Sequence, residues 1–265
     1  MKSGYLSNRS ISELNRFKEH SQSLLIESKD TVLIEEAVKH ICDKPVRIVP
    51  AEGKKSINIE QVRRLRKMIY QKSDAGKQFF VVYNFGDASA EVQNAILKVL
   101  EEPGSVSKLI LACQKIHGIL PTVKSRCLQI SLRPMNQQKL VDSVSSNFNV
   151  EASQVEKLLL STNHSIDRVC LALEDKEVYD QQMDLIKKGK QFISSKAKEK
   201  HQLLAQVQES NSLDEFYDVL LAIYRTQISK STTAQEYVES ILDTKQKAKT
   251  NVSNKTLANL LAISQ

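Results

Sequence analysis

Five short apolar runs set what this chain can fold into. They are Ser23–Ile26, Val46–Pro50, Phe79–Tyr83, Leu109–Cys113 and Leu128–Leu132. Phe79–Tyr83 and Leu109–Cys113 are continuous, the mark of strands buried on both faces of a parallel sheet. The stretches between them carry helical spacing. Thr31 stands where it would cap a helix through Val32–Val38. Asn58 does the same for a helix with Val62, Leu65 and Ile69 on one face. Val92, Ala95, Ile96, Val99 and Leu100 form a third apolar stripe, ended by Pro103-Gly104, and a short helix is expected near Pro121. Alternation of this kind predicts a doubly wound, mostly parallel sheet. Such sheets take ligands at the carboxyl ends of their strands.

The rest of the chain reads differently. All five prolines and six of the seven glycines lie within residues 1–134. Since both residue types punctuate turns, the first half is expected to be turn-rich α/β and the second almost entirely helical. Helical patterns run over Gln138–Asn147, Ser153–Leu160, Ser165–Leu173, Leu213–Ser229, Thr233–Lys249 and Lys255–Ile263. The polar stretch 187–200 reads as a linker or an exposed helix. We expect three segments: an α/β domain over 1–133, a small helical domain over 134–180 and a longer helical domain over 181–265.

The basic excess follows the same division. Residues 1–134 carry 22 Lys and Arg against 14 Asp and Glu, a net of +8; residues 135–265 carry 16 against 17, a net of −1. An anionic partner is therefore expected on the α/β half. Arg63, Arg64, Arg66 and Lys67 cluster on one predicted helix. They fit either a phosphate-contacting surface or an ordinary solvated face. Cys42, Cys113, Cys127 and Cys170 form no CxxC pair, and the five histidines have no ligand spacing. We expect neither a zinc cluster nor a disulfide framework. No apolar run reaches the roughly 20 residues of a membrane span, and none near the start has signal-peptide length. A cytoplasmic chain with reduced thiols is expected.

A domain pair of this type suggests a nucleotide-driven machine, which needs a glycine-rich loop after its first strand. The corresponding place here, Leu25–Thr31, has no glycine, and Glu27 and Asp30 put negative charge where phosphates would sit. No GxxxxGK[ST] occurs elsewhere. The run Val81-Val82-Tyr83 leads into Asn84-Phe85-Gly86-Asp87, with a lone Asp and no adjacent Glu for magnesium. Asp87 reads as a turn or capping residue. No cofactor is expected.

Two segments carry a family resemblance: Asn94–Pro103 (NAILKVLEEP) and Leu120–Cys127 (LPTVKSRC). They resemble the NALLKTLEEP and LPTIxSRC signatures of bacterial DNA polymerase III clamp-loader subunits. Ile57–Arg63 resembles that family's I-x-I-x-Q-I-R segment, and Asn251–Ala258 its NxNxxLALE element. Order and spacing match over roughly residues 20–132 and the C-terminus. The resemblance implies an AAA+-like α/β domain, a helical lid and a helical collar. The missing phosphate loop and zinc cysteines point within the family to the delta-prime type, in a shortened form.

The resemblance further implies a non-catalytic subunit that works in a ring beside an ATPase (gamma or tau) subunit and a delta subunit. The sliding clamp and primed DNA would be met through the complex. Arg126 would act in trans on the neighbour's ATP, with Ser125 and Cys127 as positioning and packing residues. The other reading of Arg126 is an exposed arginine favourable to a helix end; the flanking motif favours the trans role. Family resemblance places DNA near helices such as the one bearing Arg63, Arg64, Arg66 and Lys67. Asn94, Lys98, Glu101, Glu102 and Pro103 read as scaffold, with Lys98 and Glu102 spaced for a surface pair. Arg168, at the place of the lid's nucleotide sensor, reads as a packing or salt-bridge residue. An active ATPase of the same family and a stand-alone DNA-binding scaffold are the alternatives.

Overall fold

The computed structural model describes residues 4–20, 23–70, 78–102, 107–225 and 232–248. The chain divides into two compact units, Met1–Ser143 and Val144–Gln265.

The first unit is built on five strands: β1 (Ser23–Glu27), β2 (Val46–Ile48), β3 (Gln78–Val82), β4 (Ser107–Cys113) and β5 (Leu128–Ser131). Their order is β2-β3-β4-β1-β5, with every pairing parallel. Each of the five apolar runs is therefore a strand. Central β4 is buried at all seven positions, as expected for a strand covered on both faces.

Strand alternation sends successive side chains to opposite faces. Leu25, Phe80, Val82, Leu109, Leu111 and Cys113 join one core cluster with residues of helices α3 (Ile59–Tyr70) and α4 (Ala90–Glu101). Lys108 has the opposite parity. It is buried, and its Nζ donates to the carbonyls of Phe17 and Lys18 at 2.9 and 2.7 Å. These carbonyls end helix α1 (Asn8–His20), which packs with α2 (Thr31–Ile41). A cation on the last carbonyls of a helix satisfies groups that have no intrahelical partner.

Local signals set the helix ends. Asn58 Oδ1 accepts from Gln61 N–H and Gln61 Oε1 from Asn58 N–H, both at 3.0 Å, a reciprocal cap on α3. Ser89 caps α4 through Val92 N–H. The start of α2 differs from expectation: Asp30 is the cap residue and Thr31 the first helical one. Helix α1 carries no clear sequence signal, because Ser10, Leu14 and Phe17 are its buried side chains in a run of polar residues.

The second unit is helical among its described residues. Helix α5 (Pro121–Lys124) belongs to the first unit, and α6 (Gln137–Phe148) runs across the division at Ser143. Beyond it come α7 (Ala152–Ser161), α8 (Ile166–Glu174), α9 (Lys176–Ser194), α10 (Ala197–Glu209), α11 (Leu213–Arg225) and α12 (Thr232–Ala248). The polar stretch 187–200 is helical on both sides of a break at Ser195-Lys196. A single cluster with Phe192, Leu204, Phe216, Leu220 and Ile241 holds α9 to α12 together. Gly189 on α9 faces α11 so closely that a Cβ there would meet Val219 Cγ1 at 2.7 Å. The expected lid and collar segments, apart from residues 134–143, both fall within this unit. Lys255–Ile263 and the Asn251–Ala258 segment lie outside the described residues.

Candidate functional site

The segment bearing Arg126 is a single helical turn set by proline and a buried anchor. Pro121 occupies the first position of α5, where its fixed φ suits the helix and its missing N–H costs nothing. Val123 is fully buried and fixes the turn to the core. Arg126 N–H and Cys127 N–H then donate to Val123 and Lys124 carbonyls at 3.1 and 3.3 Å. Ser125 ends the turn, its hydroxyl donating to the Thr122 carbonyl at 3.1 Å. Cys127 packs against the sheet core. Burial pushes its thiol up to about 12, which favours the protonated form at neutral pH.

Arg126 projects outward from this turn and is tied to α4. Its Nε donates to Glu101 Oε1 at 3.0 Å, and Nη2 lies 2.8 Å from the same oxygen. Nη1 donates to the Thr122 carbonyl at 3.0 Å and lies 3.4 Å from Ser125 Oγ. The side chains remain 37% and 49% exposed, so the pair faces solvent.

Helix α4 also holds the approach to α5. Gln93 is buried; its Oε1 accepts from Leu120 N–H at 2.8 Å. Its Nε2 donates to the Ala88 and Gly118 carbonyls, both at 2.9 Å. Beneath it two backbone turns nearly touch: a Cβ on Gly118 would lie 2.6 Å from the Gly86 carbonyl oxygen, and one on Gly86 2.7 Å from that of Lys115. Asn94 and Lys98 lie on α4, both exposed. The expected Lys98–Glu102 surface pair is not formed among the described ion pairs; Glu101 makes the bridge on this helix, to Arg126. The Glu102 carbonyl accepts from Tyr70 Oη at 2.7 Å. Pro103 lies outside the described residues. Gln93 has no signature in the sequence, because a buried amide in an apolar stripe has no spacing of its own. Glu101 reads there as scaffold because its partner is 25 residues away.

At the carboxyl end of β1, the turn into α2 is closed on itself. Ser28 N–H donates to the Cys113 carbonyl at 3.1 Å, and Ser28 Oγ accepts from Asp30 N–H at 3.1 Å. Glu27 Oε1 takes Ile116 N–H at 2.9 Å. Asp30 is 1% exposed and holds the N-cap position of α2. A helix N-terminus attracts anions through its free N–H groups and dipole. Here the N-cap residue is itself acidic, although its side chain makes no cap hydrogen bond to the helix. Asp87 closes the 3-10 turn after Tyr83, its N–H donating to the Asn84 carbonyl at 3.2 Å.

Arg63, Arg64, Arg66 and Lys67 are all exposed on α3 and line a groove with Glu60 and Tyr70. Arg63 is bridged to Glu60 at 2.6 Å; Arg64, Arg66 and Lys67 form no ion pair among the described residues. In the second unit Arg168 Nη1 bonds Asp218 Oδ2 at 2.7 Å, and Lys245 Nζ bonds Asp218 Oδ1 at 2.6 Å. Arg168 is thus a salt-bridge residue. No cluster of three or more His, Cys, Asp or Glu side chains among the described residues suits a metal ion. No helix among them is long and apolar enough to cross a membrane.

The family model described as "DNA polymerase III, delta subunit" matches residues 10–136. The chain is 37% identical over 81 residues to DNA polymerase III subunit delta' of Pseudomonas aeruginosa, covering 30% of this chain and 25% of that protein. It is 28% identical over 115 residues to DNA polymerase III subunit gamma of Buchnera aphidicola, covering 42% of this chain and 30% of that one. These matches span about a quarter to a third of the relatives' lengths. A gamma-subunit-related protein of Thermotoga maritima has the same fold over 96% of this chain and 98% of its own, with a TM-score of 0.55 and 18% identity. The parallel sheet in the order β2-β3-β4-β1-β5, the helical second unit and these matches together give an AAA+-like α/β plus helical architecture. Over residues 10–136 the chain matches the clamp-loader family of DNA polymerase III subunits.

Proposed function

We propose that the chain is a non-catalytic, delta-prime-like clamp-loader subunit that binds no ATP of its own and offers Arg126 to the ATP held by a neighbouring ATPase subunit. The observation that carries this reading is the β1–α2 turn. A phosphate cradle needs backbone N–H groups free to face the ligand and residues small enough to let it approach. In this turn the Ser28 and Asp30 N–H groups are already bonded within the chain, no glycine is present, and Asp30 is buried at the N-cap of α2. A triphosphate there would displace both bonds and meet acidic side chains.

The outward-facing Arg126 supports the second half of the reading. A guanidinium stays charged at every relevant pH and presents a planar fork to phosphate oxygens. Arginines supplied in trans accelerate phosphoryl transfer by about 10³–10⁵ in the GTPases where this is best measured. Such a role fits a partner set of an ATPase (gamma or tau) subunit and a delta subunit, with the sliding clamp and primed DNA met through the assembly. The Arg64, Arg66 and Lys67 face of α3 fits DNA phosphates, giving affinity without base readout.

The test is nucleotide binding by the isolated chain, followed with a fluorescent ATP analogue and magnesium, beside a steady-state ATPase assay. The expected result is no saturable binding and no hydrolysis. Tight binding with turnover would instead make the chain an ATPase of the gamma type.

A further inference from the structure

We infer that Glu101 is a positioning residue for Arg126: it holds the guanidinium in place before a neighbour's phosphate arrives. The inference rests on the trans-arginine reading above and adds a residue to it.

An arginine has several rotatable bonds, and a free one must be frozen when it meets its target. Groups that act on a transition state work best when their rotamers are already locked by surrounding contacts. Arg126 is locked from two sides by separately fixed elements. Glu101 takes the Nε side of the fork, with Nη2 at 2.8 Å, from the last residue of α4. The Thr122 carbonyl takes Nη1 from within α5. Helix α4 cannot shift easily at this end: Val99 and Leu100, just before Glu101, are buried in the sheet core. Gln93 fastens the same helix to Leu120 and Gly118, immediately before α5. Glu101 and Arg126 therefore sit on a rigid pair of elements, while their own side chains are half-exposed and reachable by a partner. A guanidinium with five N–H groups can keep a carboxylate on one side and receive a phosphate oxygen on another.

The experiment uses the reconstituted loader with ATPase and delta subunits, clamp and primed DNA. It compares Glu101→Ala, Glu101→Gln, Arg126→Ala and the double variant Glu101→Ala/Arg126→Ala, with assembly checked by size-exclusion chromatography. Glu101→Ala is expected to lower kcat by roughly two- to five-fold, with KM for ATP unchanged, the most that an exposed ion pair can supply by holding a side chain in place. Glu101→Gln, which keeps an acceptor oxygen, is expected to recover most of the rate. In the Arg126→Ala background, Glu101→Ala is expected to add nothing. Full speed with Glu101→Ala beside a slow Arg126→Ala overturns this inference and leaves the trans-arginine reading standing. So does a further drop in the double variant. Full speed with Arg126→Ala overturns the parent reading itself. Should the alanine variant disturb assembly, Glu101→Ser carries the same comparison, and an unchanged rate with serine is equally fatal.

Discussion

Glu101 and Arg126 stand 25 residues apart, yet one carboxylate oxygen lies 3.0 Å from Nε and 2.8 Å from Nη2 of the arginine. The bridge joins the end of α4 to the turn after α5. Ion pairs this exposed are worth about 0–1 kcal/mol. Glu101→Ala and Arg126→Ala are therefore expected to leave the urea midpoint of the isolated chain nearly unchanged, by less than about 1 kcal/mol. A loss of several kcal/mol would mean that the bridge is structural, and that any rate effect of these variants arises from unfolding.

Gln93 is expected to behave oppositely. It is 2% exposed and makes three bonds to backbone groups, so Gln93→Ala strands a buried N–H and two carbonyls. Each unsatisfied buried group costs roughly 1–3 kcal/mol. Chemical denaturation should show a loss within or above that range, and the loader's ATPase should fall because α5 is no longer fixed. An unchanged midpoint would show that the bonds around Leu120 are replaced by water.

If Arg64, Arg66 and Lys67 touch DNA phosphate, replacing any one by Ala weakens primed-template binding by the loader evenly across sequences. The slope of log affinity against log salt should fall by about 0.7–0.9 for each phosphate left without its cation. Titrations at two or more salt concentrations measure this directly. An unchanged slope for all three would make the α3 face merely solvated.

The two core thiols predict an alkaline limit to stability. Burial, joined at Cys113 by the nearby Glu27 carboxylate, pushes Cys113 and Cys127 from 9.0 up to about 12. The unfolded thiols lose their protons near 9 while the folded ones keep them. Their contribution is therefore fully present below about pH 9 and is lost as pH rises toward about 12. Urea midpoints measured at pH 8 and pH 10.5 should fall for the parent chain, and less steeply for Cys127→Ala. Equal slopes for the two would assign the alkaline loss elsewhere.

What can be read from sequence alone follows from where each signal lives. Strands β3 and β4 announce themselves because a central parallel strand must be apolar on both faces, as Phe80–Val82 and Leu109–Cys113 are. The Asn58 cap is legible because a capping box is local, spanning four residues. Helix α1 is hidden: Leu14 and Phe17 are its buried apolar anchors, and its last carbonyls are satisfied by Lys108, some ninety residues away. The missing phosphate loop is visible as absent glycine, but the closure of that turn by Ser28 and Asp30 is not. Arg126 stands out through its flanking motif. The carboxylate that holds it depends on where α4 ends relative to α5, which no local pattern records.

Above all, this chain is held to contribute an arginine rather than an ATP site. Steady-state ATPase of the reconstituted loader with clamp and primed DNA decides the matter, comparing the parent chain with Arg126→Ala, beside the isolated chain. We expect an inert isolated chain and an Arg126→Ala complex that assembles normally but hydrolyses ATP much more slowly. Hydrolysis by the isolated chain, or an intact Arg126→Ala complex at full speed, would refute it.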